Sequence, residues 1–315
     1  MGDCVVKRVQ VLLACYNGGP YLSRQLATLR AQVDPCFSVL MQDDGSDDDT
    51  PALLRKAAQD GSFLLGTEGG QHLGAIGNFW SLLRQSDGEL IALCDQDDEW
   101  SPCRLSRCRE IMEQAERRYG EDTPLLVHSD CRLVDAQGVP LAESFFRRQG
   151  WDPAATSLAR LLVQNNVTGC TLMMNAPLRR LALQYGRPSE MYMHDWFLAL
   201  TAAAFGQIVF IPEPLVSYRQ HGSNVMGASA SGQVLRGAQA LSQWEKARAR
   251  ITLTYDHAQA FRDMYGEALP DAARLCIDTY LSTRKLCKLR RVLAVRRGGY
   301  TMQSPVTRAG QLLFG

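Results

Sequence analysis

The first hundred residues alternate largely apolar runs with segments of helical period, and this alternation restricts the chain to one class of fold. Val9 to Cys15 and Ser38 to Gln42 are two such runs. Between them, Tyr21 to Ala31 carries Leu22, Leu26 and Leu29 at helical spacing. The pattern continues through a helix at Thr50 to Gln59, a short strand near Phe63, a helix at Ile76 to Arg84 and a strand at Leu90 to Cys94. Strands alternating with helices predict an α/β fold with a mostly parallel sheet wound in βαβ units. A chain of 315 residues can bury a large core, as one domain or two.

Ligands of such sheets sit at the carboxyl ends of the strands. "CYNGG", "QDDGSDD" and "CDQDD" each follow an apolar run, so all three fall on one sheet edge. The third is the costly one, because "IALCDQDDEW", Ile91 to Trp100, drives a buried strand into three aspartates and a glutamate. Their repulsion and desolvation are unfavourable unless a cation or a donor network sits among them. A divalent metal is the candidate; a solvated acidic turn is the alternative.

Further along, a helix is expected from Ser101 to about Tyr119 and a strand at Leu125 to Ser129. "QNNVTGCTLMMN" reads as a strand bounded by loop residues, "MHDWFLALTAAAFG" as a helix with a polar entrance, and "IVFIPEPLVSYRQHG" as a pair of short extended segments. From Val234 helix follows helix. The near balance of Lys+Arg 34 against Asp+Glu 33 argues against a generic nucleic-acid binder. Ten cysteines, with no CxxC pair and no zinc-finger histidine spacing, read as reduced, mostly buried thiols of a cytoplasmic protein. The apolar stretch in "MGDCVVKRVQVLLACYN" suits a first strand better than a signal peptide. Trp196 to Ile211 is interrupted by Gly206 and Gln207 and is shorter than the roughly 20 residues of a membrane span.

Seven segments, "LLACYNGGPYLSRQLATL", "QDDGSDDDT", "GAIGNF", "LCDQDDEW", "NNVTGC", "HDWFLAL" and "YRQHGSN", occur in the order in which the family 2 glycosyltransferases carry them. The chain resembles that family over roughly residues 7–227, most closely its bacterial rhamnosyltransferase branch. The resemblance implies a GT-A (Rossmann-like) catalytic domain over residues 1–230, with a nucleotide-sugar half at about 1–120 and an acceptor half at about 121–230. A helical, basic region at 231–315 follows. The implied activity is metal-dependent, inverting transfer of a sugar, L-rhamnose from dTDP-L-rhamnose or a sugar from a UDP donor, to a cell-surface polysaccharide or lipid-linked oligosaccharide.

The same resemblance assigns residues. Asp97 matches the direct ligand of Mg²⁺ or Mn²⁺, with Asp95 at the ribose and metal and His221 completing the metal site; a lone histidine is otherwise more often structural. Donor contacts fall on Cys15, Tyr16, Asn17, Asp43, Asp44, Gly74, Asn78, Asp95, Gln96 and Arg219, the last as a bidentate partner of the diphosphate. In this stretch Ser46 or Asp47 is also expected to cap the following helix, and an N-cap role is the rival reading of Asn78. Asp195 aligns with the catalytic base, a helix N-cap being its rival reading, and Thr168, Gly169, His194 and Trp196 border the acceptor. Asn224 stands beside His221 in the motif.

Two other functions stay open. A sugar nucleotidyltransferase would carry a Gly-rich basic loop after the first strand, which "CYNGGPYLSRQ" lacks. A silent sugar-nucleotide-binding scaffold would not need Asp95, Asp97, Asp195 and His221 together. Self-association is also left open. The C-terminal region raises a separate expectation. Beyond Asp278 no acidic residue occurs, while Arg284, Lys285, Lys288, Arg290, Arg291, Arg296, Arg297 and Arg308 do, interleaved with leucine and valine. This pattern fits peripheral attachment to the anionic cytoplasmic face of an inner membrane, or a helix packed on protein with its charges solvated.

Overall fold

The apolar runs become strands of one mixed sheet in a computed structural model that describes residues 6–67, 72–222 and 238–314. In chain order the strands are β1 (Val9–Cys15), β2 (Phe37–Asp43), β3 (Phe63–Leu65), β4 (Leu90–Asp95), β5 (Glu99–Trp100), β6 (Leu125–Val134), β7 (Pro140–Ala142), β8 (Leu172–Asn175) and β9 (Gln207–Arg219). They stand in the order β3-β2-β1-β4-β8-β6-β9-β5, with β7 on β6. The segment β3-β2-β1-β4 is parallel throughout, joined by the helices Gly19–Arg30, Thr50–Ala57 and Gly74–Gln85. Direction reverses at β8, antiparallel to both β4 and β6, and β6 pairs β9 in parallel.

Both faces of the sheet are covered, which is why β1 reads as a run rather than an alternation. Val9, Val11 and Leu13 point into one core with Val39, Met41, Ala92 and Cys94, packed beneath the helices Gly19–Arg30 and Arg104–Tyr119. Leu12, Leu40, Ile91 and Leu93 point into the other. That second core takes Phe79 and Trp80 from Gly74–Gln85 and Trp196, Phe197 and Leu200 from the helix His194–Phe205. Phe261 of Ala238–Tyr265, Ile277 and Tyr280 of Asp271–Thr283, and Val295 of Lys288–Arg297 complete it. The boundary expected at residue 230, with Ser223 and Asn224, lies outside the described residues.

One local expectation is corrected. "IVFIPEPLVSYR" is one strand, not two, because Ile211 pairs Ser129 and Pro214 pairs Asp130, leaving Pro212 and Glu213 as a bulge. Prolines are accommodated there because neither must donate to the ladder. The strand expected within "QNNVTGCTLMMN" is β8, which starts at Leu172 after a 3-10 turn at Gly169–Thr171. The nine described cysteines are free, Cys15, Cys94, Cys108, Cys131 and Cys170 being buried.

The turn from His194–Phe205 into β9 passes directly over the start of β6. Gln207 N donates to Pro124 O at 3.1 Å, and a Cβ on Gly206 would stand 1.8 Å from that oxygen. Backbone cannot yield as a flexible side chain can. Gly206→Ala is expected to lower the unfolding free energy by about 3 kcal/mol, the upper end for overpacking, read from urea denaturation; stability within error of wild type would refute this account of the turn.

Candidate active site

Three strand-end loops on the parallel edge are tied together by side chains. The carboxamide of Gln96, after β4, accepts from Tyr16 N and donates to Tyr16 O, both at 2.6 Å. Asn17 N donates to Ser46 Oγ at 2.8 Å, and Asn17 Oδ1 accepts from Asp47 N at 2.9 Å. Asn17 adopts φ +49°, the left-handed region that asparagine tolerates better than most residues. Tyr16 is exposed, and its ring lies 4.5 Å from that of His72. The side chains of Tyr16 and His72 therefore form an open aromatic wall over the edge.

Several residues expected to touch a donor also hold this wall in place. Asp44 is 2% exposed, and its carboxylate accepts from Leu73 N at 2.7 Å and Gly74 N at 2.8 Å, satisfying the start of the helix Gly74–Gln85. Gly74 has φ +70°, which explains a glycine there. Asn78 is buried inside that helix rather than at its cap; its Nδ2 donates to Cys15 O at 3.4 Å and Gln42 O at 3.5 Å. The Cys15 side chain is buried, and burial pushes its thiol well up. Ser46 and Asp47 do not cap the next helix; Asp48 accepts from Thr50 N at 2.9 Å instead. Asp43 remains half-buried at the edge, turned toward Gly45 N, Ser46 N and Ser46 Oγ.

The carboxylates converge at the end of β4. Asp97 Oδ2 meets His221 Nε2 at 2.6 Å across 124 residues of sequence, and the imidazole stacks on Tyr21 at 4.9 Å. Burial, then Asp97 and Asp195, push the Asp95 carboxyl up to about 7. Asp98 was not singled out from the sequence. It is buried, Oδ1 accepts from Arg219 N at 3.1 Å, and Oδ2 has no partner. One ligand atom each from Asp95, Asp98 and Cys170 lies within 4.8 Å of the others. Burial, then Asp98, hold the Cys170 thiol well up, so it stays protonated and suits a hard divalent cation poorly. Carboxylates with the imidazole of His221 are the donor set that fits Mg²⁺ or Mn²⁺.

Asp195 enters from the opposite half. It sits in the first turn of the helix His194–Phe205 and accepts from Trp196 N at 2.6 Å and Gly169 N at 3.2 Å. Burial pushes it up to about 6. Gly169 abuts it: an added Cβ would meet Asp195 Cβ at 3.5 Å. Thr168 is half-buried beside this contact. His194 and Trp196 do not border open space as expected. His194 is buried against Phe79 with its pKa pushed down to about 4 by burial, and Trp196 Nε1 donates to Leu161 O at 2.6 Å inside the core.

Two buried arginines support the acidic cluster. Arg104 lies over the Trp100 ring at 3.4 Å and donates through Nη2 to Cys170 O at 2.6 Å. The sequence signal for it, an arginine soon after Trp100, is too common to be read without the fold. Arg219 is 0% exposed, and its guanidinium is committed to Asp97 O at 2.7 Å, Asp135 O and Ala136 O at 3.2 Å each, and the Glu99 carboxylate. This corrects its expected role: Arg219 fixes the loop and presents no free fork to a diphosphate.

Residues 10–120 match the family model described as glycosyl transferase family 2. An uncharacterized protein of Mycobacterium tuberculosis is 27% identical over 224 residues, covering 69% of this chain and 60% of that one. The chain thus spans about 60% of the length of the first curated relatives it matches. The dTDP-rhamnosyl transferase RfbG of Shigella flexneri is 24% identical over 233 residues, covering 70% of this chain and 75% of that one. Among solved structures, S. aureus TarS 1–349 in complex with UDP-GlcNAc superposes with TM-score 0.57 at 16% identity, covering 98% of this chain and 89% of that one. The mannosyltransferase PcManGT of Pyrobaculum calidifontis, in complex with GDP-Man and Mn²⁺, gives TM-score 0.53 at 16% identity over 94% and 74%. These likenesses establish the GT-A-like fold, and the family match supports a glycosyltransferase of family 2.

Replacing Arg219 with leucine separates the two roles. It strips Glu99 and three carbonyls of their buried cation, so Arg219→Leu is expected to cost about 3–5 kcal/mol of stability, measured by denaturant unfolding without any ligand. A residue that only bound a diphosphate would leave that value near wild type.

Proposed function

We propose that the chain is a metal-dependent, inverting glycosyltransferase that moves L-rhamnose from dTDP-L-rhamnose to a hydroxyl of a cell-surface polysaccharide or lipid-linked oligosaccharide. The observation that carries the reading is the meeting of Asp95 and the Asp97–His221 pair with Asp195, from two halves of the chain, at one sheet edge. Nucleotide sugars bound to TarS and PcManGT, and Mn²⁺ in the latter, support a nucleotide-sugar donor with a divalent cation. The likeness to RfbG supports rhamnose.

Asp95, Asp97 and His221 would hold the cation, whose contribution is to offset charge developing on the departing diphosphate. Tyr16 and His72 offer ring faces for the base, and Asp43 an acceptor for a hydroxyl or a base N–H. Asp195 takes the acceptor proton. The acceptor oxygen forms its bond to the anomeric carbon from the side opposite the diphosphate, the carbon–phosphate oxygen bond breaks, and the nucleoside diphosphate leaves with that electron pair. With a pKa of about 6, Asp195 is mainly ionised at pH 7 yet basic enough to accept a proton as the hydroxyl oxygen loses electron density.

Asp195→Asn is expected to lower the transfer rate by about 10²- to 10⁴-fold, followed by release of nucleoside diphosphate in the presence of acceptor, with donor affinity close to wild type. The protonated carboxyl is inactive, so kcat/KM should fall as pH drops through about 6 and level off above it. A near wild-type rate for the variant would remove Asp195 as the base. A second experiment tests the donor side by thermal shift with Mn²⁺ and dTDP-L-rhamnose, UDP-GlcNAc or GDP-mannose. Stabilisation by dTDP-L-rhamnose that chelator abolishes is expected. Stabilisation by a different sugar nucleotide would reassign the donor, and full transfer in excess chelator would exclude the metal.

A further inference from the structure

The helix Lys288–Arg297 rests on the core through one side only. Val295 is buried, while Leu289 is 73% and Leu293 45% exposed. At 3.6 residues per turn, Leu289, Leu293, Arg296 and Arg297 fall on one face, with Arg290 at its margin and Val295 on the far side. The exposed leucines are therefore bracketed by guanidinium groups. Lys285, Lys288, Arg290, Arg296 and Arg297 make no ion pair or side-chain hydrogen bond among the described residues, whereas Arg284 is paired with Asp256 at 2.9 Å.

The charge on this face is not a sample of the whole surface. Residues 279–315 hold eight of the thirty-four basic residues and none of the thirty-three acidic ones, so the remainder of the chain has twenty-six against thirty-three. A nearly neutral protein has thus gathered its positive excess around a pair of exposed leucines. Solubility alone would be served by charge without the leucines, and a packed helix would bury them. A bilayer surface fits both. Leucine side chains enter the boundary between headgroups and acyl chains, while arginines reach back along their alkyl stems to phosphates. Among the described residues no helix is long and apolar enough to cross a membrane, so contact of this kind would lie along the surface.

We propose that the face formed by Leu289, Leu293, Arg290, Arg296 and Arg297 docks on an anionic phospholipid bilayer. The proposal is independent of the catalytic reading. Lipid anions supply the charge complement, and each arginine near the surface is expected to strengthen partitioning about fivefold.

The test is flotation of the full chain with phosphatidylglycerol vesicles and with phosphatidylcholine vesicles, at low and high salt. Wild type should float with the first at low salt, lose binding as salt rises, and stay unbound with the second. R290Q/R296Q/R297Q should weaken binding on the order of 100-fold, and L289S/L293S should also reduce it, both keeping wild-type far-UV circular dichroism because all five side chains lie at the surface. The salt and lipid series on wild type decides the question even if a variant misfolds. Wild type unbound with phosphatidylglycerol at low salt would overturn the proposal, as would equal binding to the two lipids. Sedimentation gives a further outcome: if wild type is a dimer that L289S/L293S converts to monomer, the face joins two copies of the chain and the bilayer proposal falls.

Discussion

Crowded carboxylates at the end of β4 are the constraint around which this half of the molecule is arranged. Asp95, Asp97, Asp98 and Glu99 lie within five residues, and Asp195 adds its field from across the sheet. At an effective dielectric of 20, two unit charges 4 Å apart interact by about 4 kcal/mol, a large fraction of a domain's net stability. The protein answers with two arginines it has removed from water. Arg219 crosses from β9 to bind Glu99 and three carbonyls while its backbone N–H serves Asp98, and Arg104 lies against Trp100 with its charge felt by Asp95. A buried cation is itself costly, so each side of the arrangement makes the other tolerable.

The architecture was legible because β1, β2 and β4 are covered on both faces, which leaves continuous apolar runs in the sequence. The polar strand ends were legible for the same reason. What lay hidden was which polar groups had already been used. Asp43 and Asp44 are neighbours of identical chemistry, yet one borders the edge and the other is spent on two backbone donors of a helix thirty residues on. Arg219 looks like a ligand-binding cation in any one-dimensional reading, and only the convergence of β9 with the loop after β4 encloses it. His194 and Trp196 flank Asp195 in sequence, but a helix turns successive residues about 100° apart, so the neighbours of an edge residue face the core. β9 reads as two segments because a proline normally ends a strand, and the bulge opposite Ser129 and Asp130 lifts that restriction.

The core that covers the second face of the sheet is also what sets Asp195 in place. Trp196 and Phe197, immediately after it, pack among aromatic residues drawn from the C-terminal helices, including His257, Phe261 and Tyr265. Val295 and Tyr300 belong to the same cluster. The C-terminal region and the helix bearing Asp195 therefore share one packed interior, and interiors of native density transmit displacement rather than absorbing it.

Asp195 and the β4 carboxylates are also linked through a short rigid route. Trp100 supports the Arg104 guanidinium, Arg104 holds the carbonyl of Cys170, and one residue earlier the Gly169 amide donates to Asp195. Tyr16, Asn17 and His72 stand apart from this strut, anchored to one another, to Gln96 and to the β2 loop. The molecule thus separates a rigid strut from a wall held by its own contacts. A substitution at Tyr16 or His72 would leave the Trp100–Arg104–Cys170 route intact, whereas one at Trp100 or Arg104 would shift the Gly169 amide and with it Asp195 relative to the β4 carboxylates.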